Sequence, residues 1–265
     1  YVNGALTVTP APLTITASDA SKVYGQTPTL TAFTTTALQN GETVGSVTQT
    51  SPGTVATAGI PGPYAITPSA ATGGTFTAGN YAITYVNGKL AVTPATLTIT
   101  ASDVSKVFGQ TPTLTAFTTT GLINGETVTS VTATSPGTVA TAAVPGPYVI
   151  TPSAAVGTFT PGNYIITYVN GKLVVTPATL IITASDVSKV YGQTPTLTAF
   201  TTTGLINGET VTSVTQTSPG TVATAAVPGP YAITPSAAVG TFTPGNYTIT
   251  YAVSYTHLTL PTNRE

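Results

Sequence analysis

The sequence has no cysteine, no methionine and no tryptophan, and its 265 residues include one histidine, six basic and seven acidic residues. Without cysteine there are no disulfides and no thiolate metal sites. Charged residues make up 5%, with a net charge of −1. No basic arm or patch exists to neutralise phosphates, so no nucleic-acid partner is expected. Low charge also raises the question of a membrane, but no apolar run approaches the length of a spanning helix. Windows of helical periodicity with flanking caps are missing as well.

Threonine and valine dominate, with 26 glycines, 22 prolines, 13 tyrosines and 7 phenylalanines. β-branched residues favour strands, glycine and proline mark turns, and the aromatics can supply a core. The chain repeats itself. Leu-Thr-Ile-Thr-Ala-Ser-Asp starts at Leu13 and Leu97, and returns at Leu180 with Ile181 for the threonine. Tyr24, Phe108 and Tyr191 keep the same spacing of 84 and then 83 residues. Gly73-Gly74, reduced to Gly157 or Gly240 in later copies, accounts for the difference. A period of this length is a small domain rather than a solenoid coil. The expected organisation is β modules at 11–94, 95–177 and 178–251, the third lacking its last strand. Residues 1–10 match 85–94 and read as the last strand of a preceding module.

Within a module, Leu13, Ile15 and Ala17 alternate with polar residues, which predicts a half-buried strand. Further strands are expected at Leu30–Thr36, Val44–Thr50 and Tyr64–Thr67, and a turn with one short helical turn at Leu38–Glu42. Asn87-Gly88 between Tyr81–Val86 and Lys89–Thr93 predicts a two-residue hairpin, with Ile83, Tyr85, Leu90 and Val92 on one face. Only Thr93-Pro94-Ala95-Thr96 separates successive modules, without a flexible Gly/Ser linker. The fold class is therefore all-β: tandem small modules, Ig-like sandwiches or β-grasp-like sheets, forming an elongated rod.

Lys22–Thr31 (Lys-Val-Tyr-Gly-Gln-Thr-Pro-Thr-Leu-Thr), Leu38–Thr43 (Leu-Gln-Asn-Gly-Glu-Thr), Gly62–Thr67 and Asn80–Pro94 together make a specific pattern. It resembles the MBG repeat of the Tyr-Gly-X type, with Phe108 replacing the first tyrosine in the second copy. The resemblance implies a non-catalytic, multi-module protein that is secreted or attached to a bacterial cell surface, often adhesin-like. It brings no catalytic, metal or cofactor residues. A stalk or spacer is the first functional expectation, its partners being neighbouring modules. The alternative is that the modules bind a glycan or protein through loops and Tyr64, Tyr81 and Tyr85, which otherwise belong to the core.

Asp19, Lys22, Glu42 and Asn80 recur as Asp103, Lys106, Glu126, Asn163 and as Asp186, Lys189, Glu209, Asn246. Two carboxylates per module are a thin supply for calcium. A Lys–Asn isopeptide crosslink has the right residue types, and the plainer expectation leaves Asp19 and Lys22 solvated beside a turn. Gly25, Gly109 and Gly192 follow an aromatic residue without a phosphate-binding pattern, so a turn or bulge is expected. Repeat identity stops at Ala252, and Val253–Arg264 can be back-translated into a transposon-type sequencing adaptor. Residues 252–265 are accordingly expected to be a non-native tail. That removes Ser254, His257 and Glu265, which together would tempt a triad reading, from the candidate chemistry.

Overall fold

The computed structural model describes residues 3–60, 62–227 and 229–259, and side chains as far as Ser254. The first repeat contains β1 (Ala11–Ala17), β2 (Ala20–Val23), β3 (Phe33–Thr36), β4 (Val44–Thr50), β5 (Tyr64–Gly74), β6 (Tyr81–Val86) and β7 (Gly88–Thr93). The second contains β8 (Ala95–Ala101), β9 (Val104–Val107), β10 (Phe117–Thr120), β11 (Val128–Thr134), β12 (Tyr148–Gly157), β13 (Tyr164–Val169) and β14 (Gly171–Thr176). The third contains β15 (Ala178–Ala184), β16 (Val187–Val190), β17 (Phe200–Thr203), β18 (Val211–Thr217), β19 (Tyr231–Gly240), β20 (Tyr247–Ala252) and β21 (Ser254–Thr259).

Each repeat folds as two small sheets. In the first, the strand orders are β3-β1-β6 and β2-β7-β5-β4. β1 runs antiparallel to β3 and parallel to β6, and β7 runs parallel to β2 and antiparallel to β5. Leu13 and Ile15 of β1 meet Val47 of β4 and Ala71 of β5, so the two sheets close on a shared core. Alternation along β1 and β7 places each apolar side chain inward, as the period-two pattern requires. Among the described residues the only helical segments are short 3₁₀ turns. The architecture is all-β, without the helix of a β-grasp. The helical turn expected at Leu38–Glu42 is a tight turn with Asn40 and Gly41 at positive φ, and the strand expected at Leu30–Thr36 begins only at Phe33.

The expected Asn87-Gly88 hairpin does not form. β6 pairs with β1 in one sheet while β7 pairs with β2 and β5 in the other. A two-residue type I′ turn needs positive φ at both positions, and neither Asn87 nor Gly88 has it. Instead two neighbouring strands cross between the sheets together, β1 into β2 and β6 into β7. Gly88 sits at the crossing, where a Cβ would lie 2.5 Å from the Ala17 carbonyl oxygen. The Lys89 amide freed there donates to Asp19 Oδ1 at 2.7 Å, and Lys172 donates to Asp103 in the same way. The predicted faces survive, because alternation along a strand does not depend on its partner.

In the third repeat, β21 lies in the position of the closing strand, parallel to β16 and antiparallel to β19. Residues 3–10 belong to no strand and are exposed. The chain divides into two compact units. One comprises Tyr1–Thr100, Phe117–Val131 and Ser153–Val169, and the other Ala101–Ala116, Thr132–Pro152 and Asn170–Glu265. The division falls inside the middle repeat, so each joint between repeats lies within a unit.

Candidate functional site: the joint between repeats

The joint begins as a tongue. Val23–Gln26 is a turn closed by the Gln26 amide donating to the Val23 carbonyl at 3.0 Å, with Gly25 at φ +91. The Tyr24 amide donates to Thr93 O at 2.9 Å and the Gly25 amide to Ala56 O at 3.2 Å. Beneath it, Lys22 is 3% exposed, and its ammonium donates to the carbonyls of Gln26 and Val55. Burial holds its pKa below the usual lysine value. Lys22 is thus a strut between the tongue and the loop at Pro52–Thr54. This corrects the expectation of a solvated lysine, and Lys106 and Lys189 repeat it.

The tongue of the first repeat enters a socket on the second. Tyr24 is buried, with its ring 5.5 Å from that of Tyr164 in an edge-to-face arrangement. Its hydroxyl donates to Glu126 Oε1 at 3.0 Å, while the Tyr164 hydroxyl donates to the other oxygen of the same carboxylate. The Ile123 amide donates to the Tyr164 hydroxyl at 3.1 Å. Asn124 Nδ2 reaches the Tyr24 hydroxyl at 3.4 Å and Ala56 O at 3.3 Å. Gly25 packs so closely that a Cβ would lie 2.5 Å from Ile123 Cγ2. Nearby, the Ile60 amide donates to Asn163 Oδ1 at 3.0 Å.

The second joint repeats the design with one change. Phe108 meets Tyr247 at 5.5 Å edge-to-face, but carries no hydroxyl for Glu209. The Val144 amide donates to Asn246 Oδ1 at 2.9 Å, and Gly109 faces Ile206. Burial, reinforced by the hydrogen bond to Glu209, pushes the Tyr247 hydroxyl up to about 12. Tyr164 is raised for the same reasons, burial first and Glu126 second. The apolar layers run straight through both joints. Tyr24 and Val92 share a cluster with Leu97, Ile99 and Tyr164, as Phe108 and Val175 do with Leu180, Ile182 and Tyr247. Instead of a four-residue connection, one residue, Pro94 or Pro177, separates the closing strand of one repeat from the opening strand of the next.

The recurring polar residues thus have distinct duties. Asp19 pins the crossing, Lys22 supports the tongue, and Glu126 and Asn163 receive the neighbouring repeat. Within the second repeat, Lys106 and Asn163 are committed to backbone groups and not to each other, and Asp19 and Glu42 of the first accept from different partners, Lys89 and Tyr81. Among the described residues no three acidic or imidazole groups converge as metal ligands. Tyr64 and Tyr85 spend their hydroxyls on Gly59 O and the Ala71 amide. Ser254 donates to Asp186. The His257 side chain and Glu265 lie outside the described residues.

A family model described as "MBG domain (YGX type)" matches residues 13–91, 97–174 and 180–255. The chain belongs to this family. Two of the three MBG repeats carry the tongue as a Tyr-Gly pair, Tyr24-Gly25 and Tyr191-Gly192, and the second carries it as Phe108-Gly109. No curated protein matches the chain. Among solved structures, the I9–I11 tandem of titin is similar at 12% identity and a TM-score of 0.24, covering 94% of this chain and 99% of that one. N-cadherin EC1-4 of Drosophila is similar at 7% identity and a TM-score of 0.27, covering 94% of this chain and 75% of that one. Tyr24 (Phe108 in the second copy), Glu126 and Asn163 each recur once per period, but their spacing along the chain does not bring them together. The contact joins residues of different periods, which self-similarity within one period does not reveal.

Proposed function

We propose that the MBG repeats act as a stalk or spacer in a bacterial cell-surface or secreted protein, holding other parts of that protein at a distance. The observation that supports this most is the joint. At both joints an aromatic ring of one repeat completes the core of the next and a single proline connects them, and at the first joint a shared carboxylate is added, which supports a stiff connection. Small-angle X-ray scattering of the 265-residue chain is expected to show a stiff, extended particle whose maximum dimension does not depend on ionic strength. A compact particle, or a broad ensemble of bent ones, contradicts a spacer. The adhesive alternative uses exposed loops together with Tyr64, Tyr81 and Tyr85; the three tyrosine hydroxyls are engaged within the fold, which leaves the loops as the surface it would need.

A further inference from the structure

The crossing of strands decides where a pull on the chain enters and leaves a repeat. β1 passes into β2 and β6 into β7, so the first repeat contains two long ribbons, 11–23 and 81–93. They run parallel in one register throughout. Ala11 stands opposite Tyr81, Thr16 opposite Val86, Ala20 opposite Leu90 and Val23 opposite Thr93. The register does not slip at the crossing, where the Lys89 amide of one ribbon donates to Asp19 of the other. In the second repeat Ala95 stands opposite Tyr164, Thr100 opposite Val169, Val104 opposite Leu173 and Val107 opposite Thr176.

The first repeat is entered at Ala11 and left at Thr93, which lie at opposite ends of the paired ribbons. A pull from both sides draws one ribbon toward its Ala11 end and the other toward its Thr93 end, so the two must slide past each other. Ladder hydrogen bonds run from strand to strand. Sliding therefore loads the whole row at once, and a shift of one residue, about 3.3 Å, breaks all of it. Had Asn87-Gly88 closed a hairpin, β7 would run back beside β6 toward Tyr81, next to the entry. A pull would then open the pairs one at a time. At the far end the Thr93 hydroxyl donates to the Lys22 carbonyl at 3.1 Å, and the Tyr24 amide donates to Thr93 O at 2.9 Å. Beyond that point Tyr24 is seated against Tyr164 and Glu126 of the next repeat, so the same pull must also draw the tongue from its socket.

We propose that the repeat is a shear clamp, built to resist tension along the chain. Its parts are the two parallel ladders, the Asp19–Lys89 pin between them and the tongue. Pro94 passes the load on, because the ribbon that ends at Thr93 continues through this one residue into β8, the first ribbon of the next repeat. Clamps joined in this way stand in series, and each carries the full tension. The clamp rests on the spacer reading for its role and on strand register alone for its mechanics.

The chain has no cysteine, so pairs of introduced cysteines choose where force is applied. The test is single-molecule force spectroscopy of the full chain, held in two ways. Thr9→Cys with Thr96→Cys pulls the first repeat along its ribbons. Thr9→Cys with Ala78→Cys pulls the ribbons apart sideways from one end, beginning at the Ala11–Tyr81 pair. All three positions are exposed, and forced unfolding of the same fold reads its barrier along each direction. The lengthwise attachment is expected to require a several-fold higher force than the sideways one. Asp19→Ala is expected to lower the lengthwise force and leave the sideways force unchanged, because the sideways pull opens the row before it reaches the pin. Asp19→Asn keeps an acceptor for the Lys89 amide and is expected to restore much of the loss. Equal forces in the two attachments, or a lower lengthwise one, overturn the clamp. A lengthwise force that Asp19→Ala leaves unchanged overturns the pin's part in it. Scattering tests the spacer separately: a compact particle that still shows the several-fold force ratio overturns the spacer and leaves the clamp standing.

Discussion

Glu126 accepts from two tyrosine hydroxyls belonging to different repeats, and the second joint is a natural variant lacking one of them. Hydrogen bonds to a charged group contribute about 1.5–3 kcal/mol when buried and less when solvent competes. Tyr24→Phe is expected to lower stability by ~1–2 kcal/mol, and Phe108→Tyr to raise it by up to about 1 kcal/mol, both read by urea denaturation. The same tyrosines set an alkaline limit. Tyr164 and Tyr247 titrate above the ordinary tyrosine value when folded, so the folded chain holds their protons more tightly than the unfolded chain. Their contribution is complete below about pH 10 and is lost as pH rises from there through the raised values. Stability measured against pH is expected to fall above about pH 10, with a shallower fall in Tyr247→Phe. A tyrosinate absorbance titration should show late-titrating hydroxyls at Tyr164 and Tyr247, joined by Tyr81, which its bond to Glu42 also raises.

At the scale of elements, the crossing strands and the tongue each place one glycine where a side chain cannot go. Gly88 clears the Ala17 carbonyl at the sheet crossing, so Gly88→Ala is expected to cost several times the ~1 kcal/mol of an ordinary point substitution. Asn87→Ala should stay within about 0.5 kcal/mol, because Asn87 makes no type I′ turn; a larger loss would restore the hairpin. Gly25 and Gly192 share the same turn conformation but differ in surroundings, Ile123 against open space. Both alanine variants suffer the backbone strain, roughly 1–2 kcal/mol for an L residue in that region. The excess loss in Gly25→Ala over Gly192→Ala therefore measures the joint alone, by thermal unfolding of the two chains.

For the whole molecule, the compact unit differs from the unit of repetition. Both joints lie inside compact units, and the boundary between units falls within the middle repeat. Amide hydrogen exchange should follow the units. In Gly25→Val, amides of β8 around Leu97 and Ile99 are expected to lose protection together with β1 and β6, while those of β15 around Leu180 and Ile182 keep theirs. Uniform loss along the chain, or loss confined to residues 11–94, would show that repeats and not joints carry the cooperativity. Spacing along such a chain then depends on how firmly each joint is filled, which ties the tongue residues to the proposed spacer role.

Much of this was legible from the residues. The period, the all-β class, the core faces of β1 and β7 and the burial of Tyr81 and its counterparts all follow from local alternation and self-similarity, which need no knowledge of partners. Asn87-Gly88 shows the limit: a local turn signal was overruled because β6 and β7 find better partners in different sheets. Lys22 and Glu126 show it again, since a charged residue in a period reads as surface until the chain places carbonyls or hydroxyls around it. Strand partnership and the contact between one repeat's Tyr-Gly turn and the next repeat's carboxylate are long-range facts. They are decided by which burials compete in three dimensions, and only the folded chain contains that competition.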